Sequence, residues 1–162
     1  MAGMPRVQLA SPPRRSVPPG LVVSGPVVRG DQRGAELGFP TANLTLASGA
    51  EAVADGVYAG WVTGETFGCR GTAVSIGSRS TFYGAEGERL LEAHLVDFDG
   101  DLYGQVLSVH LVEKLRGQRR FPDMEALIGQ LEQDVERTRA WMLTRTDRPS
   151  WSAEGPADGG AW

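Results

Sequence analysis

Apolar and polar positions along this chain fall mostly into short runs with a period of two, and only once into a long run with a helical period. Leu21-Val22-Val23 with Val27-Val28, then Val57 to Val62 and Thr72 to Ile76, are rich in β-branched residues and bounded by glycine, a pattern that predicts strands. Leu90 to Phe98 alternates, with Leu91, Ala93 and Leu95 on one face and Glu92 and His94 on the other. Leu102 to Val112 predicts a further strand, set off from its predecessor by Asp99-Gly100, a strong hairpin dipeptide. Beyond Phe121-Pro122-Asp123 the period changes. Leu127, Ile128, Leu131, Val135, Thr138 and Met142 form a stripe at three- and four-residue steps, which predicts an amphipathic helix. Asp123 suits its N-cap or first turn, and Arg137 and Arg139 near the far end suit the helix dipole. The expected fold is mainly β: a small closed six-stranded, Greek-key-like β-barrel with a C-terminal α-helix covering an open end.

Composition narrows the setting. A chain of 162 residues fits one domain with a real core. Residues 1–18 hold four prolines and scattered arginines without apolar period and are expected to form a disordered leader. Residues 19–145 form the expected domain. Residues 146–162, which include Trp151 and Trp162, are expected to form a flexible tail. A formal charge of −4 gives no electrostatic reason to expect nucleic acid or an anionic membrane as partner. The single cysteine, Cys69, rules out an intrachain disulfide and suits a reducing compartment. With only His94 and His110 beside it, a zinc site of the usual Cys/His type is not expected. No segment is apolar enough to span a bilayer, and no signal peptide is visible. A cytoplasmic monomer is the expectation.

The candidate chemistry concentrates in Gly34-Ala35-Glu36-Leu37-Gly38-Phe39-Pro40-Thr41-Ala42-Asn43-Leu44. Glycines permit positive φ and close approach, and successive backbone N–H groups in such a turn can cradle an anion. In an extended segment Thr41 and Asn43 point the same way, where their neutral oxygens could meet one Mg²⁺ among phosphate oxygens. The same residues also suit a plain surface turn. Glu92, on the polar face of a half-buried strand, is a candidate general base or else a solvated strand glutamate. His94 beside it either tunes Glu92 or serves as a hydrogen-bonded structural histidine. Asp97, Asp99 and Asp101 alternate like a cation loop, but no glutamate follows where an EF-hand needs one, so they are taken as hairpin and strand-end acids. Neither the Gly-x-x-x-x-Gly-Lys-Ser/Thr loop nor the protein-kinase motif set occurs.

Gly25-Pro26-Val27-Val28-Arg29-Gly30, Arg33-Gly34 and Leu37-Gly38-Phe39-Pro40-Thr41-Ala42-Asn43-Leu44 together resemble the riboflavin kinase (flavokinase) family. Gly56-Val57-Tyr58-Ala59, Ser75-Ile76-Gly77 with Thr81-Phe82, Glu92 to Phe98 with Asp101-Leu102-Tyr103-Gly104, and Leu115-Arg116 with Phe121 follow in the family's order. The resemblance runs from about residue 20 to about residue 143. It implies an ATP:riboflavin 5′-phosphotransferase that makes FMN. Glu92 would be the catalytic acid–base residue; Gly30, Arg33, Gly34 and Gly38 would hold the nucleotide phosphates. Thr41 and Asn43 would be the Mg²⁺-nucleotide ligands, and Arg116 would open the loop beside the flavin. Riboflavin and ATP are the implied partners. The chain departs from the family at Ala35, where a basic residue is common, and at Ser80, where proline is common; both bear on nucleotide affinity and loop rigidity. Many bacterial relatives carry an N-terminal adenylyltransferase domain with a His-x-Gly-His motif, which is not found here, so FMN but not FAD is the expected product. A catalytically silent flavin- or nucleotide-binding module is the alternative. A small-barrel oligonucleotide binder lacks the basic stripe and interleaved aromatics it would need.

Overall fold

The computed structural model describes residues 21–30, 33–46, 53–78 and 89–149. The expected leader, most of the expected tail, and Ser80 with Thr81 and Phe82 lie outside the described residues. Six strands and two helices follow in chain order: β1 (Val22–Pro26), α1 (Arg33–Glu36), β2 (Ala42–Thr45), β3 (Gly56–Gly64), β4 (Gly68–Ser78), β5 (Arg89–Leu95), β6 (Val106–Arg116) and α2 (Met124–Leu143). All pairings are antiparallel, in the order β1-β6-β3-β4-β5-β2. The Val28 amide donates to the Asn43 carbonyl at 2.8 Å, a bridge that brings the chain after β1 against β2 and nearly closes the barrel. β3, β4 and β5 form a meander and β6 returns beside β3, which is the Greek-key arrangement.

One expectation fails on this topology. Asp99-Gly100 is not a hairpin, because β5 pairs with β4 and β2, whereas β6 pairs with β3 and β1. The strands also stop earlier and start later than the sequence pattern suggests, leaving residues 96–105 as a crossover between opposite sides of the sheet. Two local devices shape the crossover: Asp97 adopts φ 55°, and the Asp101 carboxylate accepts the Tyr103 amide at 2.9 Å just before the Tyr103-Gly104 turn. The side chain of Leu102, within this segment, is buried and anchors it to the core.

The sheet has two apolar faces. Leu44, Val62, Val74, Ile76, Leu91, Leu107 and Val109 are fully buried in the barrel core. On the outer face Ala59, Trp61 and Cys69 pack against Trp141 of α2, with the two indole rings 5.1 Å apart. β3 is buried along its whole length and therefore shows no polar alternation in its sequence. α2 begins as expected: the Asp123 carboxylate accepts the Ala126 amide at 2.8 Å. Its last turn carries no basic residue; Arg139 instead pairs with Asp97 at 2.7 Å and with Glu136, tying the helix to the start of the crossover. After α2, the Arg148 guanidinium lies over the Trp61 ring and donates to the Cys69 carbonyl. No helix among the described residues is long and apolar enough to cross a membrane.

Candidate active site

The cross-strand register assembles the site. Asn43, Glu92, Ser75, Val57 and Arg116 are successive partners across β2, β5, β4, β3 and β6. Directly opposed residues of antiparallel strands share a face, so these five side chains form one row across the outside of the barrel. Three candidate residues that are distant in sequence, Asn43, Glu92 and Arg116, belong to that row.

Two cavities are lined by residues of this row and its neighbours. The first, about 450 Å³, is bounded by Ala35 of α1, the segment from Pro40 to Asn43, the end of β5 and the crossover from Phe98 to Tyr103. The second, about 290 Å³, lies between the outer face of the sheet and α2; Glu92, His94, Phe39, Phe121, Leu127 and Leu131 line it. Thr41 lines both. Asn43 thus lines the first cavity and Glu92 the second, and Thr41 lines both.

Backbone geometry explains the glycine-rich approach to β2. Gly38 adopts φ +86°, a conformation side-chain-bearing residues rarely take. Gly30 sits against the Asn43 amide so closely that a Cβ there would fall 2.0 Å from Asn43 Nδ2. Asn43 is accordingly buried although it is on the outer face. The amides of Leu37 and Phe39 both donate to the Gly34 carbonyl, and the Gly38 amide donates to Ala35. Those three N–H groups are used inside the turn, which narrows the expected anion cradle to donors before Leu37. Arg33 opens α1, and its side chain lies outside the described residues.

His94 Nδ1 is 2.8 Å from the Pro40 carbonyl, so Nδ1 carries the proton and donates, and the Phe39 ring stands edge-on at 5.7 Å. The structural role weighed for His94 is present. Arg116 is the last residue of β6, next to the irregular segment 117–121, and it is ion-paired and only partly exposed. Its guanidinium donates to both carboxylate oxygens of the buried Asp134 at 2.7–3.1 Å, and Gln130 donates to the same carboxylate at 3.0 Å. Gln118 Nε2 then ties the following segment to Ser75 Oγ at 2.9 Å and to the Ile76 carbonyl at 2.8 Å. Arg116 and Arg119 both lie over the Phe121 ring.

Asp134 and Gln118 are wall residues that the sequence reading missed. Asp134 had a signal: at three- and four-residue steps from Leu131 and Thr138 it lies on the apolar stripe, where an acid needs a partner. Gln118 had none, because nothing in its neighbourhood marks the approach to β4.

Among the described residues no three His, Cys, Asp or Glu side chains come together as a metal site. The oxygens of the Thr41 hydroxyl and the Asn43 amide, which line the first cavity, are neutral. That donor set fits a hard cation that arrives already chelated by phosphate oxygens, and does not fit one bound by protein carboxylates alone.

Comparison with known proteins gives a consistent result. A profile of the flavokinase family, described as riboflavin kinase, matches residues 19–142. The bifunctional riboflavin kinase/FMN adenylyltransferase of Haemophilus influenzae is 38% identical over 122 residues, covering 74% of this chain and 38% of that protein. The crystal structure of riboflavin kinase from Trypanosoma brucei aligns with a TM-score of 0.58 at 27% identity, over 76% of this chain and 77% of that one. A crystal structure from Streptococcus pneumoniae described as a macrolide-efflux protein aligns with a TM-score of 0.66 at 35% identity, over 75% of this chain and 39% of that one. The chain spans little more than a third of the length of the bifunctional relatives it matches.

Proposed function

Because the chain belongs to the riboflavin kinase family, we propose that it transfers the γ-phosphoryl group of ATP to the 5′-hydroxyl of riboflavin, yielding FMN and ADP. The observation that carries this reading is that Thr41 lines two cavities, with Asn43 in the lining of one and Glu92 in the lining of the other. Phosphoryl transfer needs two substrates brought end to end, with little covalent work by the protein. The larger cavity, next to the glycine-rich approach, takes the nucleotide with its phosphates toward Thr41 and Asn43. The second, walled by Phe39, Phe121, Leu127 and Leu131, takes the flat apolar flavin and directs the ribityl chain toward Glu92.

In this mechanism the Glu92 carboxylate accepts the proton of the 5′-hydroxyl as its oxygen attacks the γ-phosphorus. The bond from that phosphorus to the β,γ-bridging oxygen breaks, and ADP leaves. A positioned base of this kind contributes about 10²–10⁴-fold in rate. Thr41 and Asn43 hold the metal–nucleotide complex, and Mg²⁺, when bound, neutralises the phosphate charge. Arg33, Gly30, Gly34 and Gly38 shape the phosphate end. Arg116, through Asp134, sets the spacing between β6 and α2 and so the width of the flavin cleft.

Incubating the purified protein with riboflavin, ATP and Mg²⁺ and separating the flavins by chromatography tests this. FMN formed with matching ADP is the expected result. No FMN while riboflavin still binds would make the protein a flavin-binding module without turnover.

A further inference from the structure

We propose that His94 is a positioning residue, which orients Thr41 through the Pro40 carbonyl and so sets nucleotide affinity; this rests on the phosphotransfer reading above. The register of β2 against β5 runs Thr45–Leu90, Leu44–Leu91, Asn43–Glu92 and Ala42–Ala93, and there it ends. The next pair in sequence would be Thr41 with His94. Thr41 lies outside β2, in the lining of both cavities, and no ladder pair holds it. The His94 side chain takes over at that point: Nδ1 donates to the Pro40 carbonyl at 2.8 Å, immediately before the Thr41 amide.

The clamp has a rigid base. His94 pairs with Ala73 of β4, on the same strand face as Glu92, and the Phe39 ring braces the imidazole edge-on. One strand, β5, therefore carries the candidate base and also the group that holds the chain on which Thr41 and Asn43 lie. Proline at position 40 supports the arrangement. Its ring fixes φ, so one hydrogen bond to its carbonyl leaves the peptide plane before Thr41 little freedom. The imidazole itself reacts with nothing. It acts through Thr41.

Two contacts can be separated by substitution. His94→Phe keeps a ring against Phe39 but has no donor. His94→Asn places an amide N–H close to where Nδ1 stands but removes the rest of the ring. Mg-ADP titrations of wild type and both variants, with kcat and KM for Mg-ATP and thermal melts in parallel, give the test. His94→Phe is expected to weaken Mg-ADP binding roughly five- to tenfold and to raise KM for Mg-ATP more than it changes kcat. His94→Asn is expected to stay within about twofold of wild type, since it keeps the donor. His94→Leu serves as the second donor-less variant if the Phe protein does not fold. Wild-type Mg-ADP affinity in the donor-less proteins would overturn the proposal, and so would an Asn variant as weak as the Phe variant. A wild-type protein that binds Mg-ADP but forms no FMN would overturn the phosphotransfer reading and leave the His94 comparison standing. Wild type that binds no Mg-ADP would overturn both.

Discussion

Asn43 on β2 and Glu92 on β5 are direct cross-strand partners, so the buried amide and the carboxylate share one face with a strand spacing between them. The same row continues through Ser75 and Val57 to Arg116, which lines the second cavity. Sheet register, rather than any loop, sets the distance from Asn43 at one end of the row to Arg116 at the other. Sites built on paired strands hold their geometry better than sites on loops.

Glu92→Gln keeps the shape of the side chain and removes its basicity. The expected result is a fall in kcat of about 10²–10⁴-fold with little change in riboflavin or Mg-ADP affinity. An unchanged kcat would remove Glu92 as the base.

Gly30→Ala puts a methyl group 2.0 Å from Asn43 Nδ2. Either the amide or the chain at residue 30 must shift. A displacement of about 1 Å at a ligand is expected to raise KM for Mg-ATP roughly tenfold while KM for riboflavin stays close to wild type. Equal effects on both substrates would show that the clash spreads through the fold and does not stay at Asn43.

Arg116 pairs with the buried Asp134, their side-chain exposures being 13% and 3%. Arg116→Ala strands the Asp134 carboxylate and is expected to cost about 3–5 kcal/mol in urea unfolding. Replacing both, as Arg116→Met with Asp134→Leu, is expected to recover most of that loss, because the desolvation of both charges disappears together. A single variant of wild-type stability would mean that water or another group takes over the carboxylate.

Burial pushes the His110 imidazole below its usual 6.5. In the unfolded chain His110 gains its proton as pH falls through 6.5, while the folded protein resists protonation. Its contribution is therefore full above pH 6.5, declines as pH falls from there to the folded value, and then levels off. Asp97 acts in a lower window. Its hydrogen bond from Arg139 holds the carboxyl below the usual 3.8, so what it adds is lost only on further acidification. His110→Gln is expected to flatten the stability curve below pH 6.5 while leaving the more acidic limb in place. Urea midpoints across pH read this directly, and an unaltered upper limb would refute it.

Much of this protein is legible in local pattern. The alternation of Leu91, Ala93 and Leu95 against Glu92 and His94 marks β5 and its polar face, the Asp123 cap and the Leu127-to-Met142 stripe mark α2, and both reappear in the structure. The Asp99-Gly100 dipeptide misled because a turn signal reports local backbone preference and says nothing about which strands become neighbours. Strand order depends on long-range pairing, and β6 reaches β3 and β1 only by a crossover that no local signal specifies. The meeting of Asn43, Glu92 and Arg116 in one row depends on that long-range pairing along β2-β5-β4-β3-β6. So do the pairing of Arg116 with Asp134, the Gln118 latch on β4 and the His94 bond to Pro40, each joining segments that no sequence period connects. Residue types and their spacing were sufficient to establish which side chains face out from each strand, because that follows from the two-residue period of one extended chain. Which of those side chains stand beside one another was decided by register and topology, which depend on the burial of apolar surface across the whole barrel.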